Sequence, residues 1–187
     1  MVCWKCHEGV QGPVCVGCGA IQPPRPDADY FAVLGLERRY HLDGRALEKA
    51  FRAVSRKVHP DRFTKRAAVE RRMSLQWTAT VNTARSVLKD PVTRAHYLAT
   101  GMARPPERGG PQPDPDFLEE MFELQSEARH APEAVRDRVS TLRAELDAAL
   151  ESRFTAWEAG EGDLVGVDLL LARLRYLATA ERLVDQS

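Results

Sequence analysis

The stretch "SRKVHPDRFTKR", residues 55–66, decides how this 187-residue chain is read. Leading into it, Leu47, Phe51, Val54 and Val58 fall at i, i+4, i+7 and i+11, which makes one buried stripe of an amphipathic helix. Asp43 is a good N-cap, so this helix is expected from about Gly44 to Val58. Pro60 cannot continue it, because proline lacks the backbone N–H and its ring clashes with the preceding turn. Downstream, Val81, Ala84 and Leu88 mark the inward face of a second helix, from about Ala67 to Leu88, which "KDP" at 89–91 closes. Two helices joined by the polar loop "HPDRFTKRA" form an antiparallel helical hairpin.

Working outward, "YFAVLGL" at 30–36 reads as a short apolar turn, and a short helix from Val92 to about Thr100 ends at Gly101. "QPPRPD" at 22–27 and "RPPERGGPQPDP" at 104–115 read as boundaries, since Pro and Gly there neither continue a helix nor pair as a strand; "EAGEGD" at 158–163 is a weaker break. Beyond the second boundary three helices are expected, from about Asp116 to Arg129, Pro132 to Trp157 and Asp163 to Leu183. In the middle one Val135, Val139, Leu142, Leu146, Leu150 and Phe154 hold a heptad-like stripe, which suits a three-helix bundle. No run of alternating strand character is longer than a few residues, and no internal repeat is visible. The expected fold class is therefore all-α: a hairpin domain over 27–101, a linker over 102–115 and a C-terminal three-helix bundle over 116–187. A small N-terminal zinc-knuckle segment with its Pro-rich linker occupies 1–26.

A hydrophobic content of 43% is enough to build such cores. Twenty-seven basic residues balance twenty-seven acidic ones, so global charge gives no push toward nucleic acid or membrane. No stretch approaches the roughly 18 apolar residues that a membrane span needs. Cys3 and Cys6 come where a secretory signal would carry its apolar region, so a cytoplasmic location is expected, where clustered cysteines mean metal more often than disulfides.

The four cysteines are spaced as two CxxC knuckles, Cys3-Trp-Lys-Cys6 and Cys15-Val-Gly-Cys18. Two such knuckles bring four thiolates to tetrahedral corners, as zinc requires, and Gly17 and Gly19 let backbone N–H groups approach the sulfurs. Structural zinc on Cys3, Cys6, Cys15 and Cys18 is the expectation, with His7 a bystander. Iron on the same ligands, a redox-labile dithiol and haem attachment through "CWKCH" are rival uses of the pattern. About 20 residues hold too little core to fold alone, so metal binding would supply the folding energy.

Arg45, Lys49, Arg52 and Arg56 repeat at helical spacing on another face of the first hairpin helix, joined by Lys57 and continuing through Arg62, Lys65 and Arg66. Such a cluster expects an acidic partner, and the face lacks the Asn, Gln and aromatic residues that read or stack on bases. His59 and Asp61 admit an acid/base reading, but no nucleophile or second His is placed to complete a site, so no enzyme is expected. The plainer reading has His59 bonding a free carbonyl in the last helical turn.

"DYFAVLGL", a basic helix, "HPDR" and "VNTARSVLKDPVTRAHYL" together resemble a J-domain, the module that recruits and stimulates DnaK-type chaperones. The resemblance implies that His59, Pro60 and Asp61 contact the chaperone, with Arg45, Lys49, Arg52, Arg56 and Lys57 as the cationic docking face. "DPDFLEEMFELQSEA" and the terminal "LARLRYL" are similar to the C-terminal bundle of HscB-type co-chaperones of iron–sulfur cluster assembly. The cysteine head resembles the four-cysteine form of that family, and the likeness covers essentially the full chain. It implies a DnaK/HscA-type chaperone and an IscU-type scaffold as partners, with neither nucleic acid nor membrane. In the first bundle helix positions 117, 121, 124 and 128 suffice for packing, which leaves Leu118 and Phe122 as a surplus pair. Tyr176 likewise lies off the stripe of Leu170, Leu174 and Leu177, and the resemblance makes Leu118, Phe122 and Tyr176 the scaffold-binding patch. A J-protein with another client and a zinc-ribbon adaptor for nucleic acid are the competing readings. Against the adaptor, the head carries only Lys5 as a cation before Arg25.

Overall fold

The computed structural model describes residues 1–104, 110–128 and 130–185. Among them lie seven α-helices, one 3-10 turn and no strand, in keeping with the all-α expectation. Extended pairing is limited to two isolated antiparallel bridges, Val2 with Gly9 and Val14 with Ile21. The chain forms two compact units, Met1–Arg94 and Ala95–Ser187. Residues 105–109 of the expected linker, and Arg129 at the expected end of the first bundle helix, lie outside the described residues.

In the first unit the head repeats one hydrogen-bond pattern around each CxxC. The Cys3 N–H donates to the Glu8 carbonyl and the Cys15 N–H to that of Ala20, at 2.8 and 2.9 Å. The His7 N–H returns to the Cys3 carbonyl as the Gly19 N–H does to that of Cys15, at 3.0 and 2.9 Å. His7 and Gly19 take matching left-handed conformations, φ 63° and 69°. The first knuckle thus seats a side chain where the second uses glycine, at a cost of roughly 1 kcal/mol. This structural repeat escaped the sequence because the knuckles share little beyond their cysteines.

The hairpin follows. Helix α1, Tyr30–Leu34, replaces the expected apolar turn. The Asp29 carboxylate caps the N–H groups of Phe31 and Ala32, and left-handed Gly35 closes the other end, so five residues suffice. Helix α2, Gly44–Val58, begins on the Asp43 cap as expected, and α3 spans Ala68–Lys89. Of the predicted stripe Leu47 and Val58 are buried, whereas Phe51 and Val54 are half-buried. The connection is no irregular loop: Pro60–Phe63 form a 3-10 turn, anchored by Phe63 at 4% exposure. Helix α4, Pro91–Thr100, contains the divide between the units and ends at left-handed Gly101.

The second unit holds three mutually packed helices, α5 Pro115–Glu127, α6 Pro132–Glu158 and α7 Val167–Asp185. Asp114 caps α5, accepting from the Phe117 N–H at 3.0 Å. Helix α7 begins four residues later than expected. Asp163 instead accepts from the Val165 N–H, and Gly166 takes φ 82°, so the chain turns before the helix starts. The core stripe of α7 consequently runs through Val167, Leu171, Leu174 and Leu177, with Leu170 only half-buried. Among the described residues no helix is long and apolar enough to cross a membrane.

Candidate functional site

The four cysteine sulfurs all lie within 4.8 Å of one another, with Cys3 to Cys18 at 3.7 Å and Cys6 to Cys15 at 3.6 Å. A tetrahedral centre with metal–sulfur bonds of about 2.3 Å needs its sulfurs about 3.8 Å apart, so the cluster fits one ion of that size. Burial opposes ionisation of Cys3, but the Cys6 and Lys5 backbone N–H groups outweigh it and bring its pKa to about 6. At Cys6 the Glu8 backbone N–H favours the thiolate, yet burial and the three neighbouring cysteines push the group up to about 12. Four thiolates in this space need a cation to coexist. The haem-attachment and dithiol readings each leave two of the converging sulfurs idle, and all four cysteines are free of disulfides.

One residue beside this cluster was invisible in the sequence. Gln22, read only as the start of a Pro-rich boundary, is 2% exposed and donates Nε2–H to the Cys3 sulfur at 3.3 Å and to the Ala20 carbonyl at 2.9 Å. No short-range pattern marks a lone glutamine as a ligand-orienting group.

At the hairpin tip His59, Pro60 and Asp61 are held in a defined turn. His59 does not bond a carbonyl of its own helix; its Nδ1 accepts the Asp61 N–H at 3.3 Å and lies 3.4 Å from the Asp61 carboxylate. The Arg62 N–H closes onto the His59 carbonyl at 3.0 Å, and the Arg62 guanidinium reaches the Arg56 carbonyl at 3.2 Å. Both side chains face solvent, 55% exposed at His59 and 85% at Asp61. Arg45, Lys49, Arg52, Arg56 and Lys57 are exposed along α2. Glu48, the acid among them, is turned to α3, where Arg85 binds it at 2.7 Å and holds its carboxyl below the usual range, leaving the face cationic. The Arg85 guanidinium also sits over the Phe51 ring at 4.9 Å, so one residue staples α2 to α3. Beside His59 a groove of about 510 Å³ opens between these helices, lined by Phe51, Arg52, Ser55, Thr78 and Asn82.

In the bundle, Phe117, Met121, Leu124 and Ala128 fill the core, while Phe122 on the opposite side of α5 is 74% exposed. Leu118 is half-buried, and Tyr176 on α7 is 38% exposed. Asp116, Glu119 and Glu123 are exposed on α5 around Phe122, whereas Glu120 and Glu127 pair with Arg138 of α6. The free face of α5 is an aromatic residue set among carboxylates.

A DnaJ domain is recognised over residues 29–97. The co-chaperone protein HscB homolog of Bordetella pertussis is 40% identical over 126 residues, covering 65% of this chain and 71% of that protein. The chain belongs to the HscB co-chaperone family. Its likeness to HscB proteins extends through the head: the mouse iron–sulfur cluster co-chaperone protein HscB is 29% identical over 99% of this chain and 82% of its own length. The crystal structure of human HscB superposes with a TM-score of 0.76 at 25% identity, covering 100% of this chain and 98% of that one. Membership of the HscB family makes the chain a J-domain co-chaperone.

Proposed function

We propose that this co-chaperone delivers an IscU-type iron–sulfur scaffold to a DnaK/HscA-type chaperone and stimulates that chaperone's ATPase. The observation that carries the reading is the exposed His59-Pro60-Asp61 turn at the end of a cationic helix, in a chain of the HscB family. The J-domain, 27–101, presents His59, Pro60 and Asp61 together with Arg45, Lys49, Arg52, Arg56 and Lys57, and binding favours the hydrolysis-competent chaperone state. The bundle, 116–187, takes the scaffold through Leu118, Phe122 and Tyr176; solvent exposure of Phe122 supports this, since packing gives it no role. One chain gripping both partners raises the local concentration of scaffold at the chaperone. The head holds zinc as a structural ion, and the same four sulfurs would also accept iron. The setting is the cytoplasm, with neither nucleic acid nor membrane as partner.

Steady-state ATPase of the chaperone with scaffold tests the tip. Wild-type protein stimulates turnover and His59→Gln does not; equal stimulation by both defeats the reading. For the bundle, the Phe122→Ala, Tyr176→Ala double variant loses scaffold in a pull-down while its J-domain still stimulates the scaffold-free chaperone. Unchanged capture removes these residues from the site.

A further inference from the structure

A buried residue, Gln22, bonds the head to the hairpin. Among the N–H groups that meet the Cys3 sulfur are the Lys5 backbone at 3.4 Å and Gln22 Nε2 at 3.3 Å. The orientation of the Gln22 amide is determined by its partners: Oε1 accepts the Trp4 N–H at 3.2 Å, and a flipped amide would set donor against donor there and oxygen against sulfur. The Gln22 backbone carbonyl accepts the Trp77 indole N–H of α3 at 2.6 Å, and that indole is 7% exposed. One turn earlier on α3, Ser74 donates to the Val58 carbonyl at 2.5 Å, and Val58 immediately precedes His59. Bonds therefore run without a gap from a metal-ligating sulfur to the residue before the chaperone-facing tip.

We propose that Gln22 is a positioning residue that ties metal occupancy of the head to the order of α3 at Trp77, so that an unloaded head loosens the hairpin. The inference rests on the reading of the four cysteines as a metal site. The two-state element is the head itself, which lacks enough core to persist unloaded. Metal binding fixes the position of the Cys3 sulfur that the Gln22 amide meets, and the amide in turn orients that ligand. When the head unfolds, the Gln22 carbonyl leaves and the buried Trp77 indole loses its acceptor. Linkage is reciprocal, so an ordered α3 also raises metal affinity.

The test uses the full-length protein, with cobalt(II) as probe and two variants, Gln22→Met and Trp77→Phe. Cobalt–thiolate absorption reports four-sulfur binding, chelator competition reports affinity, and amide exchange across Ser74–Val81 reports the order of α3. Stripping the metal should speed wild-type exchange there by tenfold or more. Gln22→Met should weaken cobalt binding by about tenfold, the usual effect of losing a group that orients a metal ligand. Trp77→Phe should keep the four-sulfur spectrum while its α3 exchange becomes nearly insensitive to metal. If wild-type exchange is the same loaded and stripped while the four-sulfur spectrum is present, the linkage is overturned and the metal site survives. If cobalt gives no such spectrum, both fall. Wild-type affinity in both variants also overturns the role of Gln22.

Discussion

In the head the buried cluster is Cys3, Val10, Cys15 and Ala20, with Cys6 and Cys18 packed against it. In the C-terminal bundle it includes Val135, Val139, Leu146, Leu150 and Phe154 of α6, set against Phe117, Met121 and Leu124 of α5 and Leu171, Leu174 and Leu177 of α7. The head's core is largely the four cysteines arranged to bind a metal ion, so binding and stability are coupled there. The bundle's core contains none of the residues assigned to the scaffold, and Phe122 at 74% exposure beside Phe154 at 0% shows the division within one domain. A region that folds on its ligand exposes its function through what it must bury; a region that folds on apolar packing exposes it through what packing leaves over.

The strongest way to break this contrast is Cys15→Ala. Structural zinc sites contribute on the order of 10 kcal/mol to folding, so the variant should bind no metal by elemental analysis while the near-parental helical circular dichroism shows the bundle intact. Collapse of the bundle as well would mean that the two regions are not energetically separate. Next in size is Phe154→Ala, which should cost about 3–5 kcal/mol in urea unfolding through the cavity it leaves. Phe122→Ala should stay within about 0.5 kcal/mol of wild type in the same assay, as an exposed substitution does. A large loss at Phe122 would make it a packing residue after all.

The smallest effect expected is at the Asp114 cap. The Phe117 backbone N–H and the Arg173 guanidinium hold its carboxyl below the ordinary carboxylate value. A carboxylate with a depressed folded pKa adds stability that is complete above its unfolded value, about 4, and disappears as pH falls through the lower folded one. Asp114→Asn should therefore melt slightly below wild type at pH 7, and the gap should close toward pH 2. A gap that persists unchanged into acid would assign the effect to the amide's own capping geometry.

Legibility followed the range of the interaction. The cysteine spacing, the 3.6-residue period of α2, α3, α5 and α6, and the surplus apolar residue at Phe122 are local patterns, and each could be read from neighbouring residues. Helix α1 was missed because five residues hold too little period to register, and its caps, Asp29 and Gly35, emerge only in the structure. The 3-10 turn depends on Phe63 reaching a core whose residues lie elsewhere in the chain, and the start of α7 depends on the backbone conformation of Gly166. Gln22 is the extreme case: its carbonyl meets an indole 55 residues away, which no window of sequence contains.

The turn at His59 also settles what the tip offers to whatever meets it. With Nδ1 accepting the Asp61 N–H, the proton of the neutral imidazole sits on Nε2, so the ring turns a hydrogen-bond donor outward and calls for an acceptor on whatever meets it.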